Sequence, residues 1–459
     1  MSGRHIVRSE AELNAWIGRI LAGPDRGNQP FVLEETDYAG LYSMAGNLLG
    51  HFQTIAGQQP VCLCAEDKTV IGAAMLASLA GGPALILPHS PAPQVLAELK
   101  ALTGFRVAIV DITRPVPQGV HCIAPSPTRG PWPPTAPLSP KAPGTEWVHL
   151  FTGGSTGAPK MWRKSVRNLL AETISIIENY SIRETDRLVA TVSPCHIYGL
   201  LYAILAPLMA NAAVAPQNPS FPSEIEAVLR QSRASVLISV PAHYRALNGH
   251  SFAPRSLRLA FSSAGMLAKA DAEAFSAQTG VKIAEIYGST ETGGIAARVR
   301  ADGETDFKPY ATVDVCIEGE RLKVRSDYLS PGLAPTPHDY FTVGDRVAAA
   351  GNGRFSLLGR ADGIVKVGGN RVDLDVVRQT IKRYPGVRDA LVISLPMGQG
   401  RENRILALVE ADLDAAVLNK ALMRDLEPHA RPRGIKVVDK MPLTAAGKPD
   451  RKTMEALFQ

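Results

Sequence analysis

Short apolar runs recur along this chain, at Val107–Val110, Trp147–Phe151, Val236–Val240, Leu257–Phe261 and Ile283–Tyr287. A strand with one wet face alternates apolar and polar residues. A strand buried on both faces need not, and several of these runs are continuously apolar. Stretches of helical spacing separate them, which predicts α/β architecture with parallel strands. Around 36–49, Leu41, Met44, Ala45, Leu48 and Leu49 recur at helical spacing, with Thr36 and Asp37 placed as N-caps. The uncharged stretch from Thr69 to Pro88 approaches the length of a membrane span. Gly81-Gly82-Pro83 interrupts it, so it reads as a helix over Val70–Ala80 followed by a strand over Ala84–Leu87. No membrane span is expected, and the N-terminal MSGRHIVRSEAELNAW has no apolar signal core.

A chain of 459 residues is long enough for two to three domains. Eight of its 35 prolines fall between Pro125 and Pro143. That stretch cannot be a helix or a central strand. It reads as a surface connection, because the α/β pattern continues on both sides; a domain boundary is the alternative. The rhythm changes near Arg360–Asp362. The expected organisation is α/β, with a large N-terminal domain (1–360) of mixed and parallel sheets flanked by helices. A small, mobile α+β C-terminal domain (361–459) follows. It should contain a helix over Leu374–Tyr384, strands over Ala390–Ser394 and Ile405–Glu410, a helix over Ala415–Leu426 and a basic tail.

Residues 361–459 hold 17 Lys/Arg and 13 Asp/Glu, so +4 of the net +6 lies there. A basic excess fits an acidic partner such as a nucleotide, coenzyme A, an acidic carrier protein or nucleic acid, and it equally fits a solvated surface. Nucleic-acid binding calls for aromatic residues interleaved with clustered Lys and Arg. Aromatic residues are 6% here and the basic ones are scattered, so no nucleic-acid partner is expected. The five cysteines include no C-x-x-C pair and cannot all pair, which points to reduced thiols and a cytoplasmic protein.

Four motifs carry chemistry. FTGGSTGAPK (151–160) follows a predicted strand. Its glycines let backbone N–H groups turn to an anion, Ser155 and Thr156 add hydroxyls, and Lys160 adds a cation. It is neither a Walker A loop, since Ala158 and Pro159 separate Gly157 from Lys160, nor a G-x-G-x-x-G fingerprint. The plain alternative is a flexible surface turn, over which the stretch by itself favours phosphate binding only modestly. EIYGSTETGG (285–294) offers a flat ring at Tyr287, a hydroxyl at Thr290 and a hard oxygen ligand at Glu291. The plain alternative is a polar turn with a capping box. In the third motif, starting FTVGDRV at 341, Asp345 follows a glycine in a tight turn, where a carboxylate can accept from ribose hydroxyls. Arg360 is a second contact there, and Gly368 and Gly369 let a ligand pass near the backbone. Gly351-Asn352-Gly353 makes a hairpin turn. The fourth, PLTAAGKPDRK (442–452), places Lys448 on a loop where a lysine is usually just solvated.

In this order, TGGSTGAPK, YGSTE, VGDR…GRADG…GGNRV and PLTAAGK resemble the signatures of the adenylate-forming superfamily: acyl-CoA synthetases, nonribosomal-peptide adenylation domains and luciferases. The resemblance covers nearly the whole chain. It implies that a carboxylate attacks the α-phosphate of ATP to give acyl-AMP and pyrophosphate, a step governed by positioned cations and donors. It further implies that the Ser155–Lys160 loop, with Ser155, Thr156, Gly157 and Lys160, holds the departing phosphates, and that Thr152, Gly153 and Gly154 also belong to the nucleotide site. Tyr287 would pack on the adenine, with Gly288 and Ser289 also in the nucleotide site, Thr290 would bond the α-phosphate and Glu291 would hold Mg²⁺. Asp345 would take the ribose with Arg360, and Lys448 would bridge carboxylate and phosphate. The family then rotates its small domain about a hinge, here Asp362, and a pantetheine thiol enters a tunnel past Gly368 and Gly369 to expel AMP. The acceptor would be coenzyme A or the phosphopantetheine of an acyl carrier protein.

The chain departs from the family pattern in being short, which puts part of the coenzyme A nucleotide site in doubt. Gly154 stands for a common serine, Val343 for a common threonine, and Glu285 for a neutral amide or glycine. SPCHIYGLLY (193–202) resembles the acyl-pocket entrance, with His196 as a gate and Tyr198 and Gly199 beside the substrate. In any other protein His196 would read as a hydrogen-bonded core histidine. SSAGML (262–267) resembles the strand end against which the acyl group lies, with Ser263 beside the substrate, and its small residues Ala264 and Gly265 would leave a flat slot for a ring. The implied substrate is an aryl acid such as 4-hydroxybenzoate, with an aliphatic acyl acid as the alternative. In size the chain resembles the stand-alone ligases that prime bacterial aryl-polyene and xanthomonadin pigments. An oxygen-using, luciferase-like activity is the other reading within the superfamily.

Overall fold

The computed structural model describes residues 7–56, 59–112, 115–125, 132, 138–152, 160–250, 254–334, 336, 339–367, 370–396, 403–444 and 449–458. The chain forms two compact units. One comprises Met1–Val315 and Val324–Phe341, the other Cys316–Lys323 and Thr342–Gln459. The change of rhythm at 360 therefore falls inside the second unit, at the end of a strand.

A nine-stranded sheet dominates the first unit. Ile283–Ser289, Leu259–Ser262, Val236–Ser239 and Arg187–Ala190 are successive parallel neighbours, in register Ser239↔Ser262↔Glu285. Gly293–Arg298 adds to Ile283–Ser289 antiparallel, across a turn. A six-stranded sheet runs His121–Ile123, Val107–Val110, Val61–Cys64, Leu85–Leu87, Glu146–Thr152, Lys160–Ser165 and is parallel except for the last pair. The apolar runs read from the sequence are thus strands, buried as central parallel strands must be.

The uncharged stretch at 69–88 is helix Lys68–Leu79, with every residue buried, and strand Leu85–Leu87. A helix surrounded by protein has no need of a polar face. Its N-cap is Asp67, whose carboxylate accepts from the Thr69 and Val70 N–H groups. In helix Tyr38–His51 the cap is Asp37; Thr36 sits in a two-residue strand. Among the described residues no helix is long and apolar enough to cross a membrane.

The described part of the proline-rich stretch is tied into the first unit. Trp132 donates to the Leu21 carbonyl at 2.8 Å, and the Ser139 and Lys141 N–H groups donate to Ala80 and Leu79. These bonds hold its described residues to helix Glu10–Ala22 and helix Lys68–Leu79 of that unit. The second unit contains a hairpin of Phe341–Ala350 with Arg354–Arg360, turning at Asn352 (φ 61°) and Gly353 (φ 71°). A strand pair, Ile364–Val367 with Asn370–Asp373, leads into helix Leu374–Lys382. Val387–Pro396, Asn403–Ala411 and Gly434–Val438 form a three-stranded sheet. The helices Leu374–Lys382 and Ala415–Asp425 bury Val377, Ile381, Leu418 and Leu422 against Ala390, Ile405 and Ala407.

Candidate functional site

Ligands of open α/β sheets bind beyond the carboxyl ends of the parallel strands. Here the segments that leave four adjacent strands are Thr191–His196, Val240–His243, Ser263–Gly265 and Thr290–Glu291. Several contacts knit them together. The Ser263 hydroxyl donates to the Ile286 carbonyl at 3.1 Å, and the Tyr198 hydroxyl donates to the Ser239 carbonyl at 3.3 Å. The structure thus brings the second motif and both acyl-pocket segments to one edge of one sheet.

Tyr287, half-buried, lies 5.5 Å from the ring of Phe307 at 47° between planes. Phe307 is buried and carries the Arg298 guanidinium 3.9 Å from its ring centre. Gly288 and Ser289 face Gly294 and Gly293 across an antiparallel pair, so this motif is the turn of a hairpin and caps no helix. Buried Thr292 locks the turn, its Oγ1 lying 2.8 Å from Ser289 Oγ. Thr290 and Glu291 at the tip keep partial exposure.

Two charged side chains lie buried under this turn. Lys164 Nζ donates to the carbonyls of Glu291 (3.2 Å) and Tyr328 (2.7 Å). Glu172 accepts the Gly294 N–H on Oε1 at 2.6 Å. Burial lowers the Lys164 ammonium to about 8, against the pull of Glu172 and Glu291. Burial likewise raises the Glu172 carboxyl, against Lys164 and the Gly294 N–H. The sequence reading missed both, because Lys164 stands in a strand whose other charges, at Lys160 and Arg163, are exposed.

At the acyl side, His196 is the residue before helix Ile197–Leu200 and makes no side-chain cap. The helix continues through a π-helical stretch, Leu201–Leu205, a local irregularity common at functional sites. A Cβ at Gly199 would run into the Ser193 carbonyl, so only glycine lets the SPCH turn fold onto the helix. Ala264 has φ 68°, a left-handed conformation costing a non-glycine residue about 1–3 kcal/mol and concentrated at functional sites. Gly265 leaves space, since a Cβ there would meet only Pro241, at 3.7 Å. Tyr198, Tyr202 and Phe261 stack edge to face at 5.0 Å steps. Sequence reasoning overlooked a polar chain at the strand ends, His243 Nδ1 to Thr191 Oγ1 at 2.7 Å and Thr191 Oγ1 to Ser239 Oγ at 2.8 Å. Adjacent Ser262 Oγ is buried with no hydrogen-bond partner among the described residues.

Glu285 is a buried tie. Its carboxylate accepts from Arg298 (2.7 and 3.1 Å), Arg300 (3.0 Å) and the Leu267 N–H (2.9 Å). It thereby fixes the SSAGML segment against the strand that carries Tyr287.

Thr152 and Lys160 are register partners closing the glycine-loop hairpin. Trp162 braces it, donating to Thr152 Oγ1 at 3.0 Å and taking Lys160 Nζ 4.1 Å from its ring centre. Gly153, Gly154, Ser155, Thr156 and Gly157 lie outside the described residues, as do Gly368, Gly369 and Lys448. In the second unit, Asp345 lies within strand Phe341–Ala350, opposite Arg360, and not in a tight turn as expected. The glycine before it continues a long antiparallel strand. Asp362 lies in the short helical turn Ala361–Gly363.

Among the described residues no three of His, Cys, Asp and Glu assemble as a metal cage. One partly exposed carboxylate, Glu291, is the share of ligands that Mg²⁺ takes from a protein when phosphates supply the rest. The donor set therefore fits Mg²⁺ brought with a nucleotide.

A large α/β unit and a smaller α+β unit together match the fold of adenylate-forming enzyme structures. Residues 72–332 match the family AMP-binding enzyme, and residues 377–448 match the AMP-binding enzyme C-terminal domain. The chain belongs to this family of adenylate-forming enzymes. It is 25% identical over 347 residues to a sulfoacetate–CoA ligase of Cupriavidus necator, covering 69% of this chain and 68% of that protein. It is 29% identical over 312 residues to a 4-coumarate–CoA ligase of Cereibacter sphaeroides, covering 65% and 68%. Its fold matches ATP-bound MatB from Rhodopseudomonas palustris with a TM-score of 0.81 at 20% identity, over 96% of this chain and 98% of that one.

Proposed function

We propose that this chain is a cytoplasmic, ATP-dependent acid–thiol ligase that activates an aryl acid such as 4-hydroxybenzoate. The acceptor would be the phosphopantetheine thiol of coenzyme A or of an acyl carrier protein. The observation that carries this reading is the hairpin tip, where Thr290 and Glu291 stand partly exposed beside Tyr287 at the carboxyl edge of the parallel strands. Family membership supports it. In the first step a carboxylate oxygen bonds to the α-phosphorus as the bond to pyrophosphate breaks. In the second, the thiol sulfur bonds to the acyl carbon, AMP leaves and the thiol proton is lost.

Tyr287, backed by Phe307, offers its face to adenine. Thr290 donates to the α-phosphate, the Ser155–Lys160 loop holds the departing phosphates, and Thr152, Gly153 and Gly154 complete the nucleotide site. Glu291 would hold Mg²⁺, which neutralises phosphate charge when bound. Asp345 and Arg360 take the ribose, Asp362 is the hinge between 1–360 and 361–459, and Lys448 bridges carboxylate and phosphate. His196 gates the acid site, and Gly368 and Gly369 line the thiol's path. The space beside Gly265, where an added Cβ would lie 3.7 Å from Pro241, is what supports an aromatic acid.

The test is acid-dependent ATP–pyrophosphate exchange with a panel of carboxylic acids. It is repeated with coenzyme A and with a phosphopantetheinylated carrier, following product mass. Aryl acids should lead the panel; a preference for aliphatic acids overturns the substrate class. Lys448→Ala should lose most of the exchange yet still form thioester from supplied acyl-AMP. Normal exchange by that variant would remove Lys448 from adenylation.

A further inference from the structure

We propose that Lys164 and Glu172 are a buried positioning pair that sets the Thr290–Glu291 turn for MgATP. This rests on the function proposed above. Lys164 is fully buried and Glu172 is 6% exposed. They come from consecutive elements, strand Lys160–Ser165 and helix Val166–Tyr180, and reach the same turn from below. The ammonium holds the Glu291 carbonyl at 3.2 Å. The carboxylate holds the Gly294 N–H at 2.6 Å, three residues later. With one carbonyl tied to a cation and one N–H tied to an anion, the peptide planes flanking the turn cannot rotate freely. The side chains of Thr290 and Glu291 leave from that clamped backbone.

Gly293 makes the close approach possible. Its φ is 69°, and a Cβ there would come within 2.5 Å of Glu172 Oε2. That oxygen is itself buried with no hydrogen-bond partner among the described residues. Burying two charges is costly, and apolar side chains of similar volume would serve stability as well or better. Stability therefore does not account for the pair, whereas orientation does. Groups outside the first ring of metal ligands, acting by holding those ligands, typically change metal affinity ~10–100-fold when mutated.

Three variants test the proposal: Lys164→Met, Glu172→Gln, and the double variant, which removes both charges together. Folding is followed by circular dichroism and thermal midpoint. ATP–pyrophosphate exchange gives the KM for MgATP, the Mg²⁺ concentration for half-maximal rate and the KM for the acid. Both nucleotide parameters should rise ~10–100-fold in Lys164→Met and in the double variant. The acid KM should stay within about twofold, a difference worth under about 0.5 kcal/mol. The double variant should regain much of the thermal midpoint lost by the single variants, because no unpaired charge remains, without regaining its MgATP and Mg²⁺ dependence. If the single variants fail to fold, the charge-balanced double variant carries the test. Wild-type MgATP and Mg²⁺ dependence in a folded double variant would overturn the proposal while leaving the enzyme's function intact. A wild-type protein that neither binds MgATP nor catalyses exchange would overturn that function as well.

Discussion

Lys68 shows what one buried charge does in this fold. It opens a wholly buried helix, and its Nζ donates to three successive carbonyls, of Ala215 (2.7 Å), Pro216 (3.2 Å) and Gln217 (2.9 Å). Burial lowers its pKa to about 7, against the nearby carboxylates Glu35 and Asp67. Below about 7 the folded chain carries the ammonium at a cost the unfolded chain does not bear. Between there and the ordinary lysine value the unfolded state binds more protons, so stability rises with pH. The gain in urea-unfolding free energy from about pH 7 to about pH 9 should be larger in the wild type than in Lys68→Met. Equal gains would show that Lys68 titrates normally. At this scale the sequence named Tyr287, Thr290 and Glu291, because motif residues carry their chemistry locally. It could not name Lys68 or Lys164, whose burial is created by residues about 130 to 165 positions away.

At the scale of elements, the strands Ile283–Ser289 and Gly293–Arg298 form the hairpin that displays the candidate nucleotide residues. Their backbone pairing shifts register at Tyr287/Gly288. Glu285, 2% exposed, and Arg298, 4% exposed, tie the two strands on one face, and Arg300 joins them. Removing one partner of such a pair leaves the other charged in a dry site. Glu285→Ala should therefore lose about 3–5 kcal/mol of stability by urea unfolding. A loss under about 1 kcal/mol would equate the pair with a surface salt bridge. The helices and strands were largely legible because period and caps are local: helix Val70–Ala80 was expected and Lys68–Leu79 observed, strand Val107–Val110 was expected and observed. Asp345 was misplaced because glycine before a carboxylate suggests a turn, whereas strand pairing with Arg354–Arg360 carries the backbone straight through it.

At the scale of the molecule, each compact unit has its own apolar core and its own share of the motifs. The first holds the Tyr287–Glu291 turn and the acyl segments, and the second holds Asp345, Arg360 and Asp362. A ligand that binds only the folded state stabilises it by about 2.7 kcal/mol at one hundred times its dissociation constant. MgATP should accordingly raise the thermal midpoint, ATP with EDTA should raise it less, and Glu291→Gln should abolish the difference between the two. No response to MgATP would argue against nucleotide binding altogether. The sequence by itself determined the α/β class, the parallel strands and the order of four motifs, because these depend on local pattern and on chemistry carried by neighbours in the chain. Tertiary structure alone decided which polar groups are buried: the ties at Glu285 and Lys68 and the Lys164–Glu172 pair beneath the turn. Desolvation and partnership across long sequence separations are properties of the packed interior, and no window along the chain contains them.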